Sequence, residues 1–232
     1  MLAIRRADTR GHAHHGWLDT FHSFSFADYH DPSQMQYGAL RVLNDDRIAG
    51  GRGFGAHGHR DMEIVTYVLD GALAHRDSMG NGSTIRPGDV QRMSAGTGVM
   101  HSEFNASRDD EVHLLQIWLL PVERGGAPGY EEKRFSDDDR RGRLRIIASP
   151  DGRDGSVTVR ADASIHAALI DGDERAQYAV PAGRRVYVHV ARGALDVNGE
   201  TLRAGDAATI EAEDAVTLER GDRAEVLLFD VA

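Results

Sequence analysis

The sequence predicts an all-β fold in which two similar rolls, each a barrel or a double sheet, follow one another in one chain. Three observations carry this reading. Short β-branched or apolar runs recur between Gly, Pro, Asn and Asp turns, helical periodicity is nearly absent, and part of the pattern occurs twice. The repeat is visible in Thr84-Ile-Arg-Pro-Gly-Asp89 and Thr201-Leu-Arg-Ala-Gly-Asp206, and again in Gly71-Ala-Leu73 and Gly193-Ala-Leu195. A chain of 232 residues is long enough for two modest domains, each with its own apolar core.

Within residues 1–50, the segment 11–17 has no pattern that fixes a strand or a helix, so His12, His14 and His15 read as a solvated loop. Phe24 and Phe26 alternate with serines, as in a half-buried strand; Asp31-Pro32-Ser33 marks a turn, and residues 38–44 resume strand character. Residues 62–69 are rich in β-branched side chains and stop at Asp70-Gly71. Residues 72–77 lead into the hairpin signal Gly80-Asn81-Gly82, and Pro87-Gly88 separates 84–86 from 89–93. Residues 111–120 form a long strand closed by Pro121. The texture then changes to Gly125-Gly126-Ala-Pro128-Gly129 and the charge cluster at 137–141, as at a crossing between domains. Strands resume at 144–148, 156–159, 186–190 and 225–229. The expected division is an N-terminal domain of residues 1–125, a crossing of residues 126–143, and a C-terminal domain of residues 144–232.

Composition removes several classes of function. A formal charge of −10, from 37 Asp+Glu against 27 Lys+Arg, argues against broad attraction to nucleic acid or to an anionic membrane. The chain has no cysteine, which excludes disulfides, thiolate nucleophiles and Cys-rich metal sites together. Any metal must be held by His and carboxylate. No apolar run is long enough for a membrane span or a signal peptide, so the cytoplasm is the expected compartment.

The stretch from Gly51 to Asn105 carries the pairs His57-Gly58-His59 and His101-Ser102-Glu103. Alternate side chains of a strand share a face, so each pair can aim two donor groups the same way, and three imidazoles can meet one carboxylate. That donor set suits divalent transition metals. Four protein ligands on an octahedral ion leave two positions for substrate, water or dioxygen, which is a catalytic rather than a closed structural arrangement. Counting without gaps from the repeated glycines, the matching positions of the second roll are Ala179, Pro181, Leu218 and Arg220, none of them a donor of the same type.

Gly51-x5-His57-x-His59-x3-Glu63-x7-Gly71 resembles the first cupin motif with one extra residue, and Gly88-x5-Ser94-x-Gly96 with His101-x3-Asn105 resembles the second. More closely, Phe24-Ser-Phe26, His57-Gly-His-Arg60, Glu63-Ile-Val-Thr-Tyr67, His75-Arg-Asp-Ser78, Gly88-Asp-Val-Gln91 and His101-Ser-Glu103 resemble pirin family motifs. Pro128-Gly-Tyr130, residues 149–155 and Leu227-Leu-Phe-Asp230 are similar to the bacterial pirin-like quercetin 2,3-dioxygenases. The resemblance implies two cupin-type β-barrels (double-stranded β-helix, or jelly roll) in one chain, with metal only in the first. It implies His57, His59, His101 and Glu103 as ligands. Typical cupins instead place the carboxylate at the position of Glu63, which strand parity also admits and which the pirin pattern makes a buried partner.

The implied activity is metal-dependent cleavage of a quercetin-type flavonol by O2 with release of CO. Fe(II) is the expected ion, and Ni, Co, Mn, Cu and Zn suit the same ligands. Glu103, with a second carboxylate oxygen, is the expected proton acceptor from the substrate. A related enediol or catechol is the alternative substrate, and a pirin-type regulatory protein acting on a protein partner is the alternative function. Neither nucleic acid nor membrane is an expected partner. His75, Asp77 and Ser78 read as a polar cluster beside a turn or as groups that orient substrate. His113, Gln116 and Trp118 read as core or pocket wall, His22 and Phe24 as the pocket mouth, and His166 and His189 as structural.

Overall fold

The computed structural model describes residues 1–232. It is built of antiparallel strands, with helix limited to Asp137–Arg140 and two short 3-10 turns. The chain divides into two compact units.

One unit comprises Arg10–Arg134 and Val157–Ala161. Its larger sheet runs in the order Gly129–Arg134, Asp89–Ser94, Glu63–Asp70, Val112–Leu119, Leu40–Ile48, Leu18–His22, Gly11–His14. A four-stranded sheet runs Gly53–His59, Val99–Asn105, Leu73–Asp77, Gly82–Ile85. The β-branched run Glu63–Asp70 is buried up to its exposed last residue, as expected of a central strand with both faces covered. It ends where Gly71 takes φ +74° and a Cβ would lie 2.8 Å from the Glu111 carbonyl, so only glycine fits that turn. Val99–Asn105 shows a clean alternation: Val99, His101, Glu103 and Asn105 are buried while Met100 and Phe104 are exposed. Apolar side chains fill this unit in two clusters, one around Leu18, Ile48, Val68 and Ile85, the other around Ile64, Met93, Ala95 and Val99.

Of the first histidines, all exposed, His15 lies outside the strands as expected, whereas His12 and His14 lie in a strand. Gly11–His14 pairs with Leu18–His22, where His12 Nε2 meets Asp19 Oδ1 at 2.6 Å and its ring stacks on Phe21. Cross-strand contacts supply the order that local periodicity does not predict. The expected strand around Phe24 and Phe26 lies earlier, at Leu18–His22, and an isolated bridge from Phe26 to Tyr29 closes the turn that follows.

The other unit comprises Met1–Thr9, Phe135–Ser156 and Asp162–Ala232. The N-terminal strand Leu2–Arg5 lies against Ala207–Ile210 in a sheet that continues through Arg185–Val197, Ala215–Val231, Ala163–Gly172 and Arg145–Ser149. Register refines the match between the repeats. Val197, four residues after Gly193, faces Leu218, as His75, four residues after Gly71, faces Glu103. Val216 faces Tyr178 as His101 faces His57. The positions corresponding to the donor set are therefore Tyr178, Val180, Val216 and Leu218, because the segment from Gly205 to Val216 is shorter than that from Gly88 to His101, and the segment from Tyr178 to Gly193 longer than that from His57 to Gly71, which displaces an ungapped count. Val216 and Leu218 are fully buried among aliphatic side chains, with Tyr178 and Val180 packed against them. Where the first unit carries donors, the second carries core.

Candidate metal centre

The antiparallel pairing of Gly53–His59 with Val99–Asn105 places His57 directly opposite His101 and His59 opposite Val99. The three imidazoles converge: ring centroids of His57, His59 and His101 lie 4.4–4.8 Å apart, and a ligating nitrogen from each falls within 4.8 Å of the others. His57 Nδ1–H donates to the Gly55 carbonyl at 2.8 Å, which fixes its tautomer and leaves the Nε2 lone pair directed at His101 Nε2, 3.0 Å away. The edge of Trp118 meets the His59 ring at 4.9 Å. Leu73–Asp77 pairs with the other edge of the His101 strand, setting Asp77 opposite His101 and His75 opposite Glu103. His75, His101 and Glu103 form a second group of donors, all buried, that shares His101 with the first.

Glu103 is held from the larger sheet. Gln116 Nε2–H donates to Glu103 Oε2 at 3.0 Å, and the Thr66 hydroxyl donates to Gln116 Oε1 at 2.8 Å. Thr66 stands 3.5 Å from Glu103 Oε1, and its single proton is already used by the shorter bond, so Oε1 keeps its acceptor capacity. These side chains belong to a polar row, Gln91, Thr66, Gln116, Asn44 and His22, which are register partners across the sheet. His22 Nδ1 meets Asn44 Oδ1 at 2.8 Å. One row further along, the Thr20 hydroxyl donates to Asp46 Oδ1 at 2.5 Å.

Electrostatics fit a divalent cation. Burial, reinforced by the neighbouring His57, pulls His59 down to about 4. Burial together with His57, His59 and His75 pulls His101 down to about 3. Both rings are thus neutral and able to ligate near pH 7. Burial pushes Glu103 up to about 7 against the bond from Gln116 and the nearby Thr66 hydroxyl dipole, and no cationic side chain pairs with it. Buried His101 Nδ1 has no hydrogen-bond partner. Neutral imidazoles beside a carboxylate short of positive charge match the chemistry of a transition-metal site.

A cavity of about 830 Å³ opens onto His57, His59 and Glu103, walled by Trp17, Phe26, Phe54 and Trp118, with Thr20, His22, Asn44, Asp46 and Gln116 among its polar lining. Glu63 belongs to neither donor group. Its Oε2 accepts from the Ser94 hydroxyl at 2.8 Å and the Arg160 amide at 3.0 Å. His75 Nε2 faces Asp77 Oδ2 at 3.3 Å, while Asp77 is anchored by the Met79 and Asn81 amides and the Asn81 side chain. Ser78 accepts from the Met100 amide. His113 pairs with Asp45, which also takes Arg10 and Arg47, an ion-pair cluster away from the donors. Phe24 is buried and does not line the cavity; Phe26, two residues on, takes that place. Thr20, Asn44, Asp46 and Thr66 were not among the sequence candidates. Their signal is polar side chains at alternate positions of otherwise apolar strands, visible at Thr20 and His22 and at Asn44 and Asp46.

No helix is long and apolar enough to cross a membrane. The family model described as Pirin matches residues 3–119, and that of the quercetinase C-terminal cupin domain matches residues 146–231. The chain is 46% identical over 231 residues to the quercetin 2,3-dioxygenase of Escherichia coli strain K12, covering 100% of this chain and 99% of that protein. It is 43% identical over 233 residues to a pirin-like protein of Caulobacter vibrioides, with 100% of each covered. The crystal structure of YhhW from Escherichia coli superposes with a TM-score of 0.95 at 45% identity, covering 100% of this chain and 98% of that one. The same bacterial pirin in complex with nickel(II) gives 0.94 at 45% identity, covering 100% and 99%. Its two cupin-type halves, its site-bearing strands and these full-length likenesses place the chain in the pirin family.

Proposed function

We propose that this chain is a metal-dependent dioxygenase that opens the ring of quercetin-type flavonols with O2 and releases CO, with His57, His59, His101 and Glu103 holding Fe(II). The observation that carries the reading is the convergence of the His57, His59 and His101 imidazoles, with the buried Glu103 carboxylate grouped with His101, at the wall of an aromatic-lined cavity. The relatives named as quercetin 2,3-dioxygenases support the substrate class, and the nickel complex of the Escherichia coli protein supports a divalent ion.

When bound, the ion would act as a Lewis acid on the flavonol 3-oxygen, lower its pKa and hold it near dioxygen. The chain's own residues do the rest. Glu103 takes the 3-hydroxyl proton on Oε1, the oxygen that Gln116 leaves unbonded. Gln116 and Thr66 keep the carboxylate from rotating as it changes charge. Trp17, Phe26, Phe54 and Trp118 offer faces and edges to a flat aromatic substrate and keep water from the reacting carbons.

Anaerobic reconstitution with Fe(II), followed by oxygen-uptake and CO assays with quercetin, tests the proposal. Equimolar O2 loss and CO release is expected, abolished along with metal content in His101→Ala and lowered at least about a hundredfold in Glu103→Gln. The absence of any metal-dependent product from quercetin would sink it.

A further inference from the structure

The wall of the cavity carries one acid that this mechanism leaves unused. Asp46 is 4% exposed, yet it lines the cavity. Its neighbour Asp45 gathers Arg10, Arg47 and His113, whereas no cationic side chain lies within ion-pair distance of Asp46. Thr20 supplies a single hydrogen bond to Oδ1. A buried carboxylate with one neutral partner is costly unless a second donor completes it. Its position relative to the donor set follows from register: Asn44 stands opposite Gln116, which holds Glu103, and Asp46 follows on the same face of the same strand. A two-residue step along a strand is about 7 Å. An aromatic substrate whose oxygens engage the ion beside Glu103 therefore extends toward Asp46 between Trp17, Phe26, Phe54 and Trp118.

We propose that Asp46, braced by Thr20, reads a phenolic hydroxyl on the part of the substrate remote from its chelating oxygens; this rests on the flavonol reading above. Burial, helped by Asp45 and Glu103 and opposed by the bond from Thr20, pushes Asp46 up to about 7, so above that pH the group is a carboxylate, the natural acceptor for a phenol, since hydrogen bonds to ionised groups are roughly twice as strong as neutral ones. Thr20 fixes the carboxylate plane by its bond to Oδ1, so that Oδ2 is presented to the ligand in one orientation. Asp46 is in this view a specificity-determining residue, and the preferred substrates are flavonols hydroxylated on the pendant ring.

The test compares quercetin, which has pendant-ring hydroxyls, with galangin, which has none. Affinities are read anaerobically at about pH 8.5, above the raised pKa of Asp46, on nickel-loaded protein from quenching of Trp17 and Trp118, both of which line the cavity. Wild-type protein is expected to favour quercetin by about tenfold or more, the value of one good hydrogen bond to a charged group. Asp46→Asn, which retains an acceptor for Thr20 but turns the other acceptor into a donor, is expected to cut that ratio to below about threefold by weakening quercetin. Thr20→Val, which leaves the acid in place without its brace, is expected to lower the ratio partway, and it carries the test if Asp46→Asn fails to fold. Equal weakening of both flavonols, or none, overturns the role of Asp46 and leaves the flavonol reading standing. Failure of wild-type protein to bind either flavonol overturns both.

Discussion

At the residue scale, Glu103 is defined by what holds it. One carboxylate oxygen accepts from Gln116, and Gln116 is itself oriented by Thr66, so the acid is aimed through two side chains of a different sheet. Groups of this kind around a metal ligand commonly carry roughly 10- to 100-fold in metal affinity or activity. Gln116→Leu removes the donor while keeping bulk. It also frees the Thr66 proton to turn toward Glu103 Oε1, 3.5 Å away, which would occupy the oxygen to which the proposed function assigns the substrate proton. The expected outcome is at least about a tenfold loss in metal affinity or kcat, with thermal stability little changed, measured by metal titration and by turnover on the same preparation. Unchanged affinity and kcat would show that the strand, rather than Gln116, sets the carboxylate.

At the element scale, the strands Gly53–His59 and Val99–Asn105 must lie close enough for His57 and His101 to meet at 3.0 Å. Glycine at position 53 permits that approach. A Cβ there would fall 2.2 Å from the Glu103 carbonyl oxygen and 2.5 Å from the Phe104 Cα, both backbone, so relief requires parting the strands. Gly55, on the same strand, has nothing within 4 Å of its Cβ position. Gly53→Ala is expected to lose about 1–3 kcal/mol of stability and most of its metal affinity, whereas Gly55→Ala changes neither, as urea unfolding and metal titration would show. Equal behaviour of the two variants would remove the argument.

This scale also shows what was legible in the sequence. Period-two alternation aimed His57, His59, His101 and Glu103 before any fold was known, because parity depends only on local chain geometry. Which carboxylate joins the histidines is not a local property. Glu63 and Glu103 both sit in strands, and only tertiary pairing directs one to Ser94 on the neighbouring strand and Arg160, and the other to Gln116 of the facing sheet. The order at His12 escaped for the same reason, since Asp19 and Phe21 reach it from the neighbouring strand.

At the scale of the whole molecule, one roll carries the candidate site and its repeat carries core, so that acid sensitivity also has a residue outside the candidate metal centre. His166 lies in the second unit, 7% exposed, with its ring against Tyr178. Burial, aided by the nearby Arg153, lowers its pKa from 6.5 to about 4. Between those values the unfolded chain binds a proton at this site and the folded chain does not. The unfolded state then holds more protons, and stability falls as the pH drops. The contribution is fully present above pH 6.5 and is lost progressively toward pH 4, amounting to about 3 kcal/mol. Glu131 acts by the same linkage in a lower window, from pH 4.5 down: burial alone would raise it, but the bonds from Lys133, Thr158 and Arg92 prevail and lower it from 4.5 to about 2. His59 and His101 are lowered across the same window as His166, so only the difference between wild type and a single His166 variant isolates its share. His166→Gln removes the titration without adding charge. Urea unfolding of metal-free wild type and variant from pH 7.5 to 4 is expected to give stability curves that converge by about 3 kcal/mol as the pH falls. Parallel curves over that range would mean that His166 is not the group through which acid reaches the second core.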